Sequence, residues 1–222
     1  MRLRLRFEKT GAVRFASHKD VMRLFQRCLA ACGVPVAYSE GYHPHMRMSF
    51  GPPLRTGWES RAEYLDLLVE KPAGNLAETC NGFLPAGLRV THVAALPADA
   101  PKLATDICAA DYQVRVEGPG AAGAAARAAQ AERRLAEETA AGPDQPRLLT
   151  LSAEADGEAL LIIYRTTMPS GKTVAPDAVV AALLGDTAGP AVPPEVTRLA
   201  QFVSRDGTYL SPVDAGAIRK RI

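Results

Sequence analysis

The amino-acid sequence predicts an α+β protein with antiparallel sheets. Its 222 residues are 47% hydrophobic and 23% charged, a composition typical of chains that fold around apolar cores. Short stretches that alternate apolar and polar residues lie between stretches in which apolar residues recur at helical spacing. The order β-α-β-β-α-β can be followed twice along the chain. The length is sufficient for two small domains.

The chain opens with an expected strand and helix. Arg2–Phe7 alternates charged and apolar residues, which predicts a strand, and Ala12–Phe15 is expected to be a second short extended piece after a turn. Ser17 or Asp20 is expected to cap a helix, because apolar and cysteine side chains recur at helical spacing from Val21 to Cys32. We expect this helix to end at the glycine that follows.

The rest of the first half supplies three strands and one helix. Met46–Phe50 is predicted to be a short strand after a segment rich in glycine, proline and histidine, and Tyr64–Val69 is predicted to be another. Asn75 is expected to cap a short helix that reaches about Phe83. The strand Leu88–Leu96 then completes the first β-α-β-β-α-β series.

The second half repeats this order after a Pro/Ala/Asp-rich linker, Pro97 to about Thr105. A hairpin is expected around Asp156-Gly157, and a proline starts the last predicted helix. The predicted elements are the strand Tyr112–Glu117, the helix Ala121–Glu138, the strands Leu148–Ala153 and Ala159–Thr167, the helix Pro176–Leu184 and the strand Val196–Val203.

Two copies of this order match the ferredoxin-like unit, in which a four-stranded antiparallel sheet carries two helices on one face. The sequence therefore predicts tandem ferredoxin-like units. We place the first domain at residues 1–98 and the second, with a C-terminal tail, at residues 106–222. The open faces of the two sheets can pack together, or one can remain available to a nucleic acid or a partner protein.

The charge of the chain is unevenly distributed, although the formal net charge is only +2. Residues 1–61 contain 11 Lys+Arg and 4 Asp+Glu, whereas residues 99–222 contain 13 and 16. A local basic excess of this kind can bind a polyanion such as RNA. The alternative interpretation is a basic face that contacts only solvent.

The location predicted from the sequence is the cytoplasm. No run of about 18 apolar residues is present, and the N-terminus alternates charged and apolar residues instead of forming a signal peptide's hydrophobic stretch. The four cysteines show no paired spacing typical of a secreted disulfide framework, so reduced thiols are expected. The sequence does not indicate an oligomeric state.

The stretch Tyr38–Asp66 is too unusual in composition to be a plain linker. Together with Phe15–Asp20 and the helical residues Arg23–Arg27, it resembles the radical SAM-linked protein family, a domain of unknown function found beside or fused to a cobalamin-type radical SAM enzyme. The family's run Ser-x-Gly-aromatic-x-Pro-His-Pro-basic-x-Ser-Phe matches Ser39–Phe50 here. The match departs at Met46, where the family usually has proline.

The resemblance implies an accessory or substrate-handling module whose partner is a radical SAM enzyme. The second half agrees with the family mainly through Gly171–Pro176. Radical SAM chemistry needs three thiolates to hold an iron–sulfur cluster, and Cys28 and Cys32 have no third cysteine near them in sequence. We therefore interpret both cysteines as core residues and expect no cofactor or metal in this chain, whose own catalytic residues remain unknown.

An RNA surface is expected where cations are interleaved with aromatic residues, because cations contact phosphates and aromatic rings stack on bases. The RNA handled is expected to be tRNA or rRNA awaiting modification. The interleaved aromatic residues include Phe50 and Trp58, which can also be core residues. The expected RNA-binding residues are Arg14, His18, Lys19, Arg23, Arg27, Tyr42, His43, His45, Arg47 and Arg55.

The glycines and prolines of the same segment are expected to shape its loop. The expected structural loop residues are Ser39, Gly41, Pro44, Ser49, Phe50, Gly51 and Gly57. Glu59, Glu63 and Asp66 lie in no recognisable catalytic motif, and Glu63 and Asp66 are expected to pair with arginines instead.

Two alternatives to RNA handling remain open. The first is a stand-alone metal-dependent enzyme in which His43 and His45 bind a metal with His18, His92 or a cysteine. The second is a protein-interaction scaffold that binds no RNA.

Overall fold

The computed structural model describes residues 1–71, 74–97, 99–118, 121–139, 142, 144–185 and 192–218. Its contacts divide the chain into two compact units, residues 1–107 with 202–222 and residues 108–201. Helices and mostly antiparallel strands make up both units, which confirms the α+β class. In the described part of the chain, no helix combines the length and the apolar character needed to cross a membrane.

The first unit contains most of the predicted elements of the first half. Its sheet has the order β4-β1-β3-β2, and all three neighbouring pairs are antiparallel. Leu5 of the central strand lies opposite both Leu65 and Val93. The elements are β1 (Arg2–Lys9), a 3₁₀ helix (Gly11–Phe15), α1 (His18–Ala31), β2 (Met48–Phe50), β3 (Glu59–Leu68), α2 (Leu76–Asn81), β4 (Leu88–Leu96) and α3 (Leu103–Asp106).

The second unit repeats this arrangement with the strand order β8-β5-β7-β6. The predicted hairpin around Asp156-Gly157 is confirmed, and Gly157 has a φ of +63°. The elements are β5 (Ile107–Glu117), α4 (Ala121–Ala126), α5 (Ala128–Glu138), β6 (Leu148–Asp156), β7 (Ala159–Thr167), a 3₁₀ helix (Pro169–Gly171), α6 (Pro176–Leu184) and β8 (Glu195–Arg205). The finer expectation, that both units are ferredoxin-like, stays a prediction.

Two elements after β8 have no counterpart among the predicted ones. They are β9 (Thr208–Leu210), which pairs with the end of β8, and α7 (Pro212–Ile218). Both belong to the first unit, although they are distant from its other elements in sequence.

The core of the first unit lies between its sheet and α1. Val21, Phe25, Cys28 and Leu29 are buried along one face of the helix, as their spacing predicts. The ring of Phe25 meets that of Phe7 edge-on, with centroids 4.8 Å apart. This cluster holds α1 against the sheet and so fixes the position of the helix's N-terminal end.

The extended piece predicted at Ala12–Phe15 is wrong, because these residues form part of a 3₁₀ helix. The buried Lys9 ammonium donates hydrogen bonds to the carbonyl oxygens of Arg14 and Ala16, at 3.1 and 2.8 Å. A buried ammonium must be satisfied by acceptors, and the tight turn brings these carbonyls to it.

The predicted linker and the predicted Ala-rich helix also differ from the structure. The region expected to be a linker contains α3, whose Leu103 is fully buried. The helix expected over Ala121–Glu138 is interrupted at Arg127, so that α4 and α5 are separate. The Arg127 guanidinium donates to the Leu183 carbonyl at the end of α6, a contact that a sequence pattern cannot indicate.

Candidate functional site

The segment that carries the family motif forms a closed loop beside β2 and β3. Val36 bridges to Val69, and Tyr38 bridges to Met46. The Ser39 amide donates to the His45 carbonyl at 2.8 Å, while the His45 amide donates to Ser39 Oγ at 3.0 Å. These bonds close the loop from its base, so its shape depends on its own side chains as well as on the sheet.

The tip of this motif loop, residues 40–45, is exposed throughout. Gly41 has a φ of +119°, which only glycine adopts easily. Pro44 lies between the exposed imidazoles of His43 and His45, and the ring of Tyr42 is fully exposed. The loop therefore presents one aromatic and two imidazole rings to solvent.

Three expected RNA-binding cations form a row on α1. Lys19, Arg23 and Arg27 are spaced four residues apart, which places them one above another on a helix, and all three are exposed. Arg23 also lies 3.4 Å from Asp20 in an exposed ion pair. The row could be foreseen from sequence spacing once the helix was predicted.

A second group joins the 3₁₀ helix to the segment before β3. The Gly57 amide donates to the Arg14 carbonyl at 2.9 Å, and Gly57 has a φ of +90°. The Arg14 guanidinium lies 5.0 Å from the ring centroid of Phe15, which is 63% exposed. The exposed Arg55 lies 5.8 Å from the ring centroid of the half-buried Trp58. Cations and aromatic rings are thus already paired here.

His18 is placed differently from the exposed cations. It lines a cavity of about 20 Å³ with Lys9, Phe50, Gly51, Glu63 and Tyr64 among its walls. A cavity of this size holds about one water molecule. Burial lowers the pKa of His18, with a further lowering by Lys9, and Glu63 acts in the opposite direction. The imidazole is therefore mostly neutral at pH 7 and lies half-buried against Phe50.

Phe50 connects this cavity to the core. Its ring is half-buried and lies 5.4 Å from the His18 ring, 5.9 Å from Phe25 and 6.2 Å from Phe7, centroid to centroid. The following Gly51 donates its amide to the Tyr64 carbonyl at 3.0 Å. The end of the motif run is thus anchored in the hydrophobic core.

A larger groove of about 860 Å³ is lined by residues of the motif loop, β2 and β3 among others. Its volume is in the range of small-molecule and peptide sites. Side chains from the motif run, Ser39, His45, Arg47 and Ser49, contribute to its walls. Its apolar walls include Met46, Met48, Phe50, Leu67, Leu68, Leu96 and Leu103.

Two of the carboxylates of β3 form ion pairs with arginines. Asp66 accepts hydrogen bonds from Arg2 and Arg4, and Glu59 lies 3.8 Å from Arg14. The expected pairing of Asp66 with arginines is therefore confirmed, and Glu59 pairs with an arginine as well. Glu63 is buried at the His18 cavity.

The structure does not bring the histidines into a ligand set. His43 and His45 are exposed on the loop, His18 is half-buried at the small cavity, and His92 is exposed on β4. Among the described residues, we find one group of three His, Cys, Asp or Glu side chains close enough to share a metal ion. That group contains only cysteines.

Cys28 and Cys32 pack in and against the core as expected, but they are not isolated from the other cysteines. Cys28 and Cys32 do have a third cysteine near them, since Cys80 of α2 places all three Sγ atoms within 4.8 Å of one another. Sequence distance hid this contact, although two helices on one face of a small sheet are expected to meet. Contact with Cys80 and burial raise the pKa of Cys28, and burial raises that of Cys32 to about 11. All three are free thiols.

Comparison with known proteins gives one clear relationship. A search of curated proteins found no match. A solved structure described as the crystal structure of an unknown protein from Galdieria sulphuraria is 15% identical, covers 76% of this chain and 82% of its own, and has a TM-score of 0.26. The profile of a family described as an uncharacterized protein conserved in bacteria (DUF2344) matches residues 2–166. This match spans most of the chain, and the chain belongs to that family.

Proposed function

We propose that this protein is an accessory module that holds RNA, such as tRNA or rRNA, for modification by a radical SAM enzyme. The observation that carries the proposal is the set of exposed aromatic rings in the first unit, one of which, Phe15, lies beside the Arg14 guanidinium. Phe15 and Tyr38 are 63% and 51% exposed, and Tyr42 is fully exposed.

Exposed rings of this kind suit single-stranded RNA. Aromatic side chains are costly to leave in water, and a base stacked on one contributes about 1–3 kcal/mol of binding free energy. Tyr42 stands at the tip of a loop whose base is closed by the Ser39 and His45 hydrogen bonds. A ring presented on a shaped loop loses little entropy when a base stacks on it.

Exposed cations near the motif loop and on α1 also support RNA binding. Lys19, Arg23 and Arg27 follow one face of α1, and Arg47 and Arg55 are exposed at either end of the segment that contains β2. Phosphate contacts from such residues release counterions, so the expected binding weakens as salt rises. His18 is the one expected RNA-binding residue that we place differently, as a packed neutral imidazole.

The fold and the partner belong to the same proposal. If the strands of each unit are numbered 1 to 4 along the chain, their order across the sheet is 4-1-3-2 in both units. This shared order supports the tandem ferredoxin-like assignment. The radical SAM partner rests on the resemblance of Ser39–Phe50 to the family run. RNA modification would be carried out by that partner, with this chain contributing affinity and position.

Fluorescence anisotropy with a labelled single-stranded RNA and with total tRNA tests the proposal. We expect Tyr42→Ala to weaken binding by about 5- to 150-fold, the equivalent of one lost stacking contact. Arg23→Glu/Arg27→Glu should weaken binding and reduce the slope of log K against log salt by about 1.4, or about 0.7 for each phosphate contact.

Two control variants make the result specific. Phe83→Ala removes a ring that is also exposed but lies outside the motif, and Arg133→Glu/Lys172→Glu makes the same change in net charge within the second unit. Both should bind RNA like the wild type. No binding at low salt, or equal losses in variants and controls, would overturn the RNA proposal and favour the protein-interaction scaffold.

A further inference from the structure

We infer that Cys28, Cys32 and Cys80 form a binding site for one thiophilic metal ion, with Zn²⁺ as the proposed occupant. The three Sγ atoms lie within 4.8 Å of one another, and those of Cys28 and Cys32 are 3.9 Å apart. Zinc–thiolate bonds of about 2.3 Å place two sulfurs of a tetrahedral site about 3.8 Å apart. One pair already has this spacing, and the third sulfur needs a shift of about 1 Å.

Two packed helices hold the cluster in place. Cys28 and Cys32 are four residues apart at the end of α1, so both face the same direction. Cys80 is fully buried in α2, and its carbonyl accepts a hydrogen bond from the Cys28 thiol at 3.5 Å. The Cys32 thiol donates to the Thr79 carbonyl at 3.6 Å. All three sulfurs are therefore positioned before an ion arrives.

The site has one open side. Cys28 and Cys80 are buried, whereas Cys32 is half-buried at the C-terminal cap of α1. An ion can enter past Cys32, and a water molecule can complete four-coordination there. On binding, three S–H bonds break, three Zn–S bonds form and three protons pass to the buffer, with no change in oxidation state.

The donor set decides the class of ion. Three thiolates without a carboxylate or imidazole select soft or borderline ions, whereas hard ions such as Mg²⁺ and Ca²⁺ prefer oxygen. Free cysteines also fill cores as small apolar side chains, so core packing is the competing interpretation. The two interpretations differ in whether the reduced protein captures metal stoichiometrically.

Titration of the reduced full-length protein with Co²⁺ tests the inference, because tetrahedral cobalt–thiolate sites show visible d–d bands and an ultraviolet charge-transfer band. We expect both bands to saturate at one equivalent and to disappear when Zn²⁺ is added. Cys32→Ser, the most exposed position, and Cys80→Ser should each weaken Co²⁺ binding at least tenfold. Cys108→Ser, a half-buried cysteine outside the cluster, should leave it unchanged.

Thermal unfolding provides the second measurement. Zn²⁺ should raise the Tm of the wild type and of Cys108→Ser, and should have less effect on Cys32→Ser, because an ion bound only to the folded state stabilises it. Absence of the cobalt bands at metal excess would overturn the inference. Equal Co²⁺ binding by the wild type and Cys32→Ser would also overturn it.

Discussion

His18 shows how one side chain acquires its role from its surroundings. It is the first residue of α1, its ring meets Phe50 edge-on at 5.4 Å, and it shares a small cavity with Glu63 and Lys9. Burial is the largest cause of its lowered pKa. The unfolded chain therefore binds more protons at this position than the folded one, and folding stability falls as His18 becomes protonated in the unfolded state.

His18→Gln should reduce the acid sensitivity of the fold. For the wild type we expect the free energy of unfolding to fall as the pH decreases through and below 6.5, the ordinary histidine pKa, because only the unfolded state takes up the proton readily. The variant should lose this part of the pH dependence. Urea unfolding between about pH 7 and about pH 5 measures it.

His43→Gln is the matched control, since His43 is exposed on the motif loop. Its unfolding free energy should follow the wild-type pH dependence. If His18→Gln also follows the wild type, burial does not control the protonation of His18, and its assignment as a packed neutral imidazole fails.

Among the elements, α1 has the most fully specified beginning. The Ser17 Oγ accepts from the Asp20 amide at 3.2 Å and the Asp20 carboxylate accepts from the Ser17 amide at 3.2 Å, which is a capping box. The Ser17 hydroxyl also donates to this carboxylate at 2.6 Å. Because α1 carries both the cation row and two of the three clustered cysteines, its start fixes the position of both candidate sites.

Ser17→Ala should lower the free energy of unfolding by about 1 kcal/mol, the usual cost of losing an N-cap. It should also raise the pKa of Asp20 toward its ordinary value, since the hydrogen bond from Ser17 is the main cause of the lowered pKa. The stabilisation that Asp20 gives is present above that ordinary value and is lost as pH falls through the lowered pKa.

Urea unfolding and NMR titration of the Asp20 carboxyl check these two effects. Ser204→Ala, which changes an exposed serine within a strand, is the control and should alter neither quantity. An unchanged Asp20 pKa in Ser17→Ala would show that the capping box does not persist in solution.

Across the first unit as a whole, one buried ionic network joins segments that are far apart in sequence. Arg4 and Asp66 are 2% and 3% exposed, and Arg4 donates to Asp66 at 2.7 and 2.9 Å. Arg4 also donates to the carbonyls of Pro101 and Pro212. The network therefore links β1, β3, the segment before α3 and the start of α7 around one carboxylate.

Asp66→Asn should destabilise the protein by about 3–5 kcal/mol, because it leaves the buried Arg4 guanidinium without its counter-charge. Glu138→Gln is the matched control, since it neutralises one partner of an exposed ion pair with Arg134 and should change stability by less than about 1 kcal/mol. Urea unfolding curves of the three proteins compare the two losses. Equal small losses would mean that the network does not hold these segments together.

Much of the architecture can be read from local patterns. The strands Leu88–Leu96 and Ala159–Thr167 and the helix Pro176–Leu184 begin and end where periodicity and turn residues predict. The cap of α1 depends on residues only three apart, Ser17 and Asp20. Caps, turns and periodicity depend on residues that are close together in the sequence, so their physical causes are visible in the sequence itself.

The candidate site divides in the same way. The closure of the motif loop by Ser39 and His45 is local, and the spacing of the cation row follows from one helix. The meeting of Cys80 with Cys28 and Cys32 depends instead on tertiary contacts. The pairing of Asp66 with Arg4 depends on them too.

These long-range contacts are decided by how the strands register and how the helices dock. A one-residue change in register would turn Asp66 to the other face of the sheet and separate it from Arg4. Composition and spacing therefore determined the class, most of the elements and the local closure of the motif loop of this protein. Only the folded chain brought together the buried charges and the three thiols, because these contacts join residues that are far apart in the sequence and leave no periodic trace in it.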